Sequence, residues 1–74
     1  MEFRVSYDKV ADALYIKLKD KEVEDGIEVK NGVIVDIGRE EDIIGVEILG
    51  FSKKKIDINE IIAKGVESVI SAKN

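Results

Sequence analysis

The chain has 74 residues, a formal net charge of −4, and neither cysteine nor histidine. Those absences exclude disulfides, thiolate and imidazole metal sites, and any Ser-His or Cys-His nucleophile pair. What remains is one thin-cored domain over residues 1–74, for which oligomerisation is the one staple left open.

The chain contains no Pro, Thr, Gln or Trp; it has 12 Ile and 9 Val against 3 Leu, and 38% of its residues are charged. Few heat-labile residues with abundant Lys and Glu is the bias of a thermophile protein. Residues 1–50 carry 13 acids against 7 bases, whereas residues 51–74 carry 3 acids against 5 bases. The one basic run, Lys53-Lys54-Lys55, is too short and lacks the interleaved aromatics of a nucleic-acid binder. No apolar run is long enough to span a membrane, so a cytoplasmic protein is expected.

In chain order, Phe3, Val5 and Tyr7 alternate with polar residues and predict a first strand over residues 2–7. Asp8 and Asp12 bracket a turn, where short carboxylates accept backbone N–H groups. Leu14, Ile16 and Leu18 mark a second strand, and a charged stretch ending at Gly26 leads to a third with Ile27 and Val29. Asn31-Gly32 predicts a type I′ hairpin turn into a fourth strand, Val33–Ile37. After the polar turn at Gly38–Asp42 comes a fifth, Ile43–Leu49, rich in β-branched residues. Ile58, Ile61, Ile62, Val66 and Val69 or Ile70 recur at helical spacing. With Asp57 and Glu60 as a capping box, they predict a helix over about 58–72, with Gly65 inside it.

A switch from period two to a helical period predicts an α+β fold. The expected architecture is an antiparallel β-meander of about five strands within residues 2–49, packed on one face by a single C-terminal helix. The inward face would hold Phe3, Val5, Leu14, Ile16, Leu18, Ile27, Val29, Val33, Val35, Ile37, Ile44, Val46 and Ile48. Tyr7 falls on the same side. The outward face would carry Tyr15, Ile34, Ile43 and Leu49 among its charged residues, more large apolar side chains than a solvated face needs.

Two stretches carry a resemblance. Tyr7-Asp8 with Asp12, then Leu14-Tyr15-Ile16 and Leu18, reads Y-D-x-x-x-D-x-L-Y-I-x-L; further on, Val35-Asp36 precedes Gly45-Val46-Glu47-Ile48-Leu49. Over residues 3–51 the chain resembles the prokaryotic family known as domain of unknown function 2283, although its Gly38–Asp42 turn is longer than that family's compact one. The resemblance implies strands followed by a helix and no established activity. Members lie beside small toxin-like genes in some genomes, which implies an antitoxin-like partner as one alternative.

The motif carboxylates Asp8, Asp12, Asp36 and Glu47 are the candidate reactive groups. Asp36 and Glu47 are expected to share the outward face, where two carboxylates can hold a hard cation or act as an acid/base pair. The competing expectation is that Asp8 and Asp12 build a turn while Asp36 and Glu47 pair with Lys17, Lys30 or Arg4. The scattered glycines match no phosphate loop. The expectation is therefore a non-enzymatic interaction module, with no catalytic residue, cofactor or metal and with no nucleic-acid or membrane partner. It would form a homo-oligomer, a dimer, through Tyr15, Ile34, Ile43 and Leu49. A carboxylate-based, metal-dependent hydrolase is the enzymatic alternative.

Overall fold

The computed structural model describes residues 3–65. Five strands run Arg4–Asp8 (β1), Ala13–Lys17 (β2), Asp25–Lys30 (β3), Val33–Ile37 (β4) and Ile43–Leu49 (β5), followed by a 3-10 turn at Phe51–Lys53 and a short helix, Ile58–Lys64 (α1). All pairings are antiparallel, in one mostly-β sheet.

The sheet is not a sequential meander: its order is β1-β2-β5-β4-β3. Strands β3, β4 and β5 are joined as hairpins, and β2 returns beside β5, so β2–β5 form a Greek key. The crossing segment between β2 and β3 spans the ends of β5 and β4. Leu18 and Lys19 both donate their N–H to the Ile44 carbonyl (2.8 and 3.1 Å), and Glu24 donates to Ile37 (2.8 Å). Lys19 and Lys21 add ion pairs to Asp42 in the β4–β5 turn at 3.0 and 3.4 Å.

This order exchanges the roles of β3 and β5. In a meander β3 would be the middle strand, yet here it is an edge, and Ile27 and Val29 stay 50% and 43% exposed instead of joining the core. Strand β5 lies centrally, and its Ile44, Val46 and Ile48 are fully buried. Tyr7 has the expected core parity, opposite Leu14, but the β1 edge leaves it exposed.

The core is a cluster of Leu14, Ile16, Val33, Val35, Val46, Ile48 and Ile61, with Phe3, Val5, Leu18, Ile37, Phe51, Ile56 and Ile58 packed against it. Branched aliphatics dominate because they suit a pleated, half-buried surface. Ile44 is buried apart from this cluster. It occupies a bulge, the register skipping from Asp36–Gly45 to Ile37–Ile43.

The Asn31-Gly32 hairpin forms, with Lys30 opposite Val33. Its turn is not type I′: Gly32 has φ 77°, while Asn31 is absent from the positive-φ residues. A bulge between Glu28 and Lys30 supplies the twist that a type I′ turn would have given. Helix α1 opens at Asp57, whose carboxylate accepts the Asn59 N–H at 2.8 Å. It ends at Gly65, which caps the helix at φ 84° rather than lying within it. Val66, Val69, Ile70, the Ile62 side chain and the predicted helix beyond Gly65 lie outside the described residues. Among the described residues no helix is long and apolar enough to cross a membrane.

Candidate functional site

Register determines which motif residues meet. On the outward face one row runs Ser6, Tyr15, Glu47, Ile34, Glu28, and the next runs Arg4, Lys17, Gly45, Asp36, Gly26. Tyr15 is directly opposite Glu47, while Asp36 lies one row along on the neighbouring strand, diagonal to Glu47. The pairing of β2 with β5 brings Tyr15 to these carboxylates.

Gly45 makes the site close-packed. A Cβ there would lie 2.6 Å from the Tyr15 hydroxyl oxygen and 2.8 Å from the Ile16 carbonyl oxygen. The Tyr15 ring therefore lies across the glycine, and Asp36 beside it is only 5% exposed. Every buried side-chain nitrogen and oxygen among the described residues has a hydrogen-bond partner. The Tyr15 hydroxyl is raised above its ordinary pKa by burial, by the charge of Asp36, by its hydrogen bond to Asp36 and by Glu47. The Glu47 carboxyl is raised by burial first, then by its hydrogen bond to Asp36 and the charge there. Lys17 does not cross to these acids: its Nζ pairs with Asp20 at 3.0 Å.

Asp8 and Asp12 belong elsewhere. The Asp8 carboxylate accepts the Val10 and Ala11 N–H groups at 3.0 and 3.1 Å, closing the β1–β2 turn. Asp12, at φ 52°, accepts from the Tyr7 hydroxyl at 2.5 Å, the Ser52 N–H at 3.0 Å and the Ser52 hydroxyl at 2.8 Å. The first motif thus ties the β1–β2 turn to the 3-10 turn after β5. Tyr7 also meets Phe51 edge-on, with ring centroids 6.0 Å apart. The four carboxylates therefore form two separate pairs. Among the described residues no group of three or more His, Cys, Asp or Glu is placed to hold a metal ion.

Hydrogen bonds from Tyr7 and Ser52 hold the Asp12 carboxyl below its ordinary value. A depressed carboxyl stabilises the fold above its unfolded value of 3.8, and that stability is lost as pH falls through the folded value. Asp12→Asn is expected to lower the thermal midpoint at neutral pH. The gap to wild type should close as acid denaturation is followed below pH 3.8. Equal midpoints at pH 7 would refute this role for Asp12.

Of the four apolar outward candidates, Tyr15 and Ile34 flank Glu47 in one row, and Leu49 lies a row further on, opposite Ala13. The β5 bulge takes Ile43 out of these rows and sets it opposite Ile37. Sequence reasoning missed Gly45 as a site residue, although a glycine inside a strand signals a close approach. An open cleft lined by Lys21, Glu22, Glu24, Arg39, Glu40 and Asp42 lies at the β4–β5 end. Within it Lys21 pairs with Glu40 and Asp42, and Arg39 with Glu24.

Comparison with curated proteins and with solved structures finds no match. A family model matches residues 4–52, from the first residue of β1 to the serine that binds Asp12. The chain belongs to that family, described as a protein of unknown function, DUF2283.

Proposed function

We propose that this domain is a small non-enzymatic protein-interaction module that assembles as a homo-oligomer, most simply a dimer, through the outward face of its sheet. In this reading α1 covers the core face and leaves the other for docking. The observation that carries the reading is the character of that face. Tyr15, Ile34 and the 42% exposed Leu49 surround a carboxylate pair, where a solvated sheet would place ion-paired side chains. Tyrosine is a frequent interface anchor, and a two-fold dimer buries one such patch against its copy. The thin core of a 74-residue chain gives assembly a stabilising role.

Sedimentation velocity tests this reading. The wild type is expected to sediment as a dimer at high micromolar concentration, and Leu49→Glu to sediment as a monomer with an unchanged circular-dichroism spectrum. A monomeric wild type would overturn it. The alternative, an antitoxin-like domain that occludes a small partner, is favoured by charge: 13 acids against 7 bases in residues 1–50 suit a basic protein. Under that reading the wild type is monomeric alone and co-purifies with the product of a neighbouring gene.

A further inference from the structure

We propose that Glu47 keeps a proton beside the buried Asp36 in the folded domain, so that the outward sheet face is a proton-binding device whose stability falls as pH rises. The geometry supplies two independent reasons. Asp36 is 95% withdrawn from solvent, on a strand whose flanking positions in its row are both glycine, so no neighbouring side chain in that row solvates or neutralises it. The register sets two other acids beside it, the Tyr15 hydroxyl lying across Gly45 and the Glu47 carboxyl on the diagonal. An ionised carboxylate only accepts hydrogen bonds, so two ionised carboxylates cannot bond to each other. A carboxyl–carboxyl hydrogen bond requires a proton, and Tyr15 brings one donor of its own.

The surrounding charges do not alter this balance. From β2, Lys17 is held by Asp20, and from β1, Arg4 lies beyond Lys17 at the sheet edge. From β3, Glu28 faces Ile34 and accepts the Gly32 N–H at 3.0 Å, while Lys30 is in register with Val33, which is of core parity. On the β3 side the charged group sharing this face is thus another acid. Loss of that proton would place two like charges side by side at low solvent exposure, which is unfavourable.

The sign follows from linkage. A carboxyl raised above its unfolded value of 4.5 binds its proton more tightly when folded. Its stabilisation is fully present below pH 4.5 and is lost as pH rises through the folded value. Across that interval the ratio of folded to unfolded protein falls by up to about tenfold per pH unit for one linked proton. The carboxyls held low, Asp12, Asp20 and Asp42, are already ionised there and add no slope. The device belongs to the single chain and stands whether or not the face docks, although a second charge there would also oppose docking.

Urea unfolding of the wild type and Glu47→Gln between pH 4.5 and 9, with carboxyl carbon NMR of the wild type, tests the proposal. The wild type is expected to lose stability and then level off. The glutamine variant should show no such slope, because a neutral amide donates the same hydrogen bond at every pH. One carboxyl resonance should finish titrating well above the ordinary glutamate range. Equal slopes in the two proteins, or a Glu47 carboxyl that titrates in the ordinary range, would overturn it. If Glu47→Gln does not fold, the wild-type resonances decide alone.

Discussion

Truncating Ile61 to alanine is expected to lower the unfolding free energy by about 2–5 kcal/mol, the range for emptying a fully buried aliphatic site. A domain of this length has a total stability of about 4–11 kcal/mol, so the loss is a large share of the whole. Ile61 has no exposed surface and belongs to the same cluster as Leu14, Ile16, Val46 and Ile48. Seven residues are too few for a helix to persist in water unaided. The Asp57 cap contributes about 1 kcal/mol, and Ile61 is the α1 residue that belongs to the buried cluster. Urea unfolding followed by far-ultraviolet circular dichroism measures the effect, with the exposed Lys64→Ala as the control. An Ile61→Ala midpoint equal to that control would mean that residues 58–64 fold outside the cooperative unit.

Gly45→Ala is expected to destabilise the domain by about 1–3 kcal/mol, as overpacking of a filled interior does. The direction is informative, because alanine in place of a strand glycine ordinarily stabilises by about 0.4–1 kcal/mol through the unfolded chain. Here the added methyl would sit 2.6 Å from the Tyr15 oxygen, 2.9 Å from Tyr15 Cζ and 2.8 Å from the Ile16 carbonyl oxygen. The tyrosine ring can swing away, but the carbonyl belongs to a strand paired with β5 and cannot. Adding Tyr15→Ala should therefore rescue the variant only in part, which a double-mutant cycle by thermal unfolding will read. A Gly45→Ala protein as stable as the wild type would remove the close approach on which the site is built.

Local chemistry was legible along the chain wherever one residue and its neighbours decide the outcome. The alternation of Leu14 with Ile16 and of Val33 with Val35 marked buried faces, and those four residues are in the core. Asp8 and Asp12 read as turn formers, and both carboxylates bind backbone N–H groups. Asp57 read as a cap and accepts the Asn59 N–H. The Asn31-Gly32 turn was legible as a turn but not in its type, because the bulge at Glu28–Lys30 changes the twist the loop must match. The placement of Gly65 inside the helix was not legible, since apolar spacing runs through it while its backbone turns to positive φ and caps α1.

Strand neighbours were a different matter. Period two states which side chains share a face of one strand, but it is the same for a meander and for a Greek key. Two sequence signals did point to the true order. Strand β5 is long and rich in branched aliphatics, as suits a strand flanked on both edges, and β3 alternates Ile27 and Val29 with charge, as an edge does.

The sequence by itself determined the strands, their inward faces away from the bulges, the turn carboxylates and the presence of Asp36 and Glu47 on one side of a hairpin. Hydrogen bonding within a hairpin follows from chain adjacency, so those relations need no knowledge of the rest of the fold. Only the tertiary structure decided that β2 lies against β5, because that pairing joins residues as far apart in the chain as Ala13 and Leu49 through a crossing loop. That one choice buried β5, exposed β3, and laid Tyr15 across Gly45 onto the two acids.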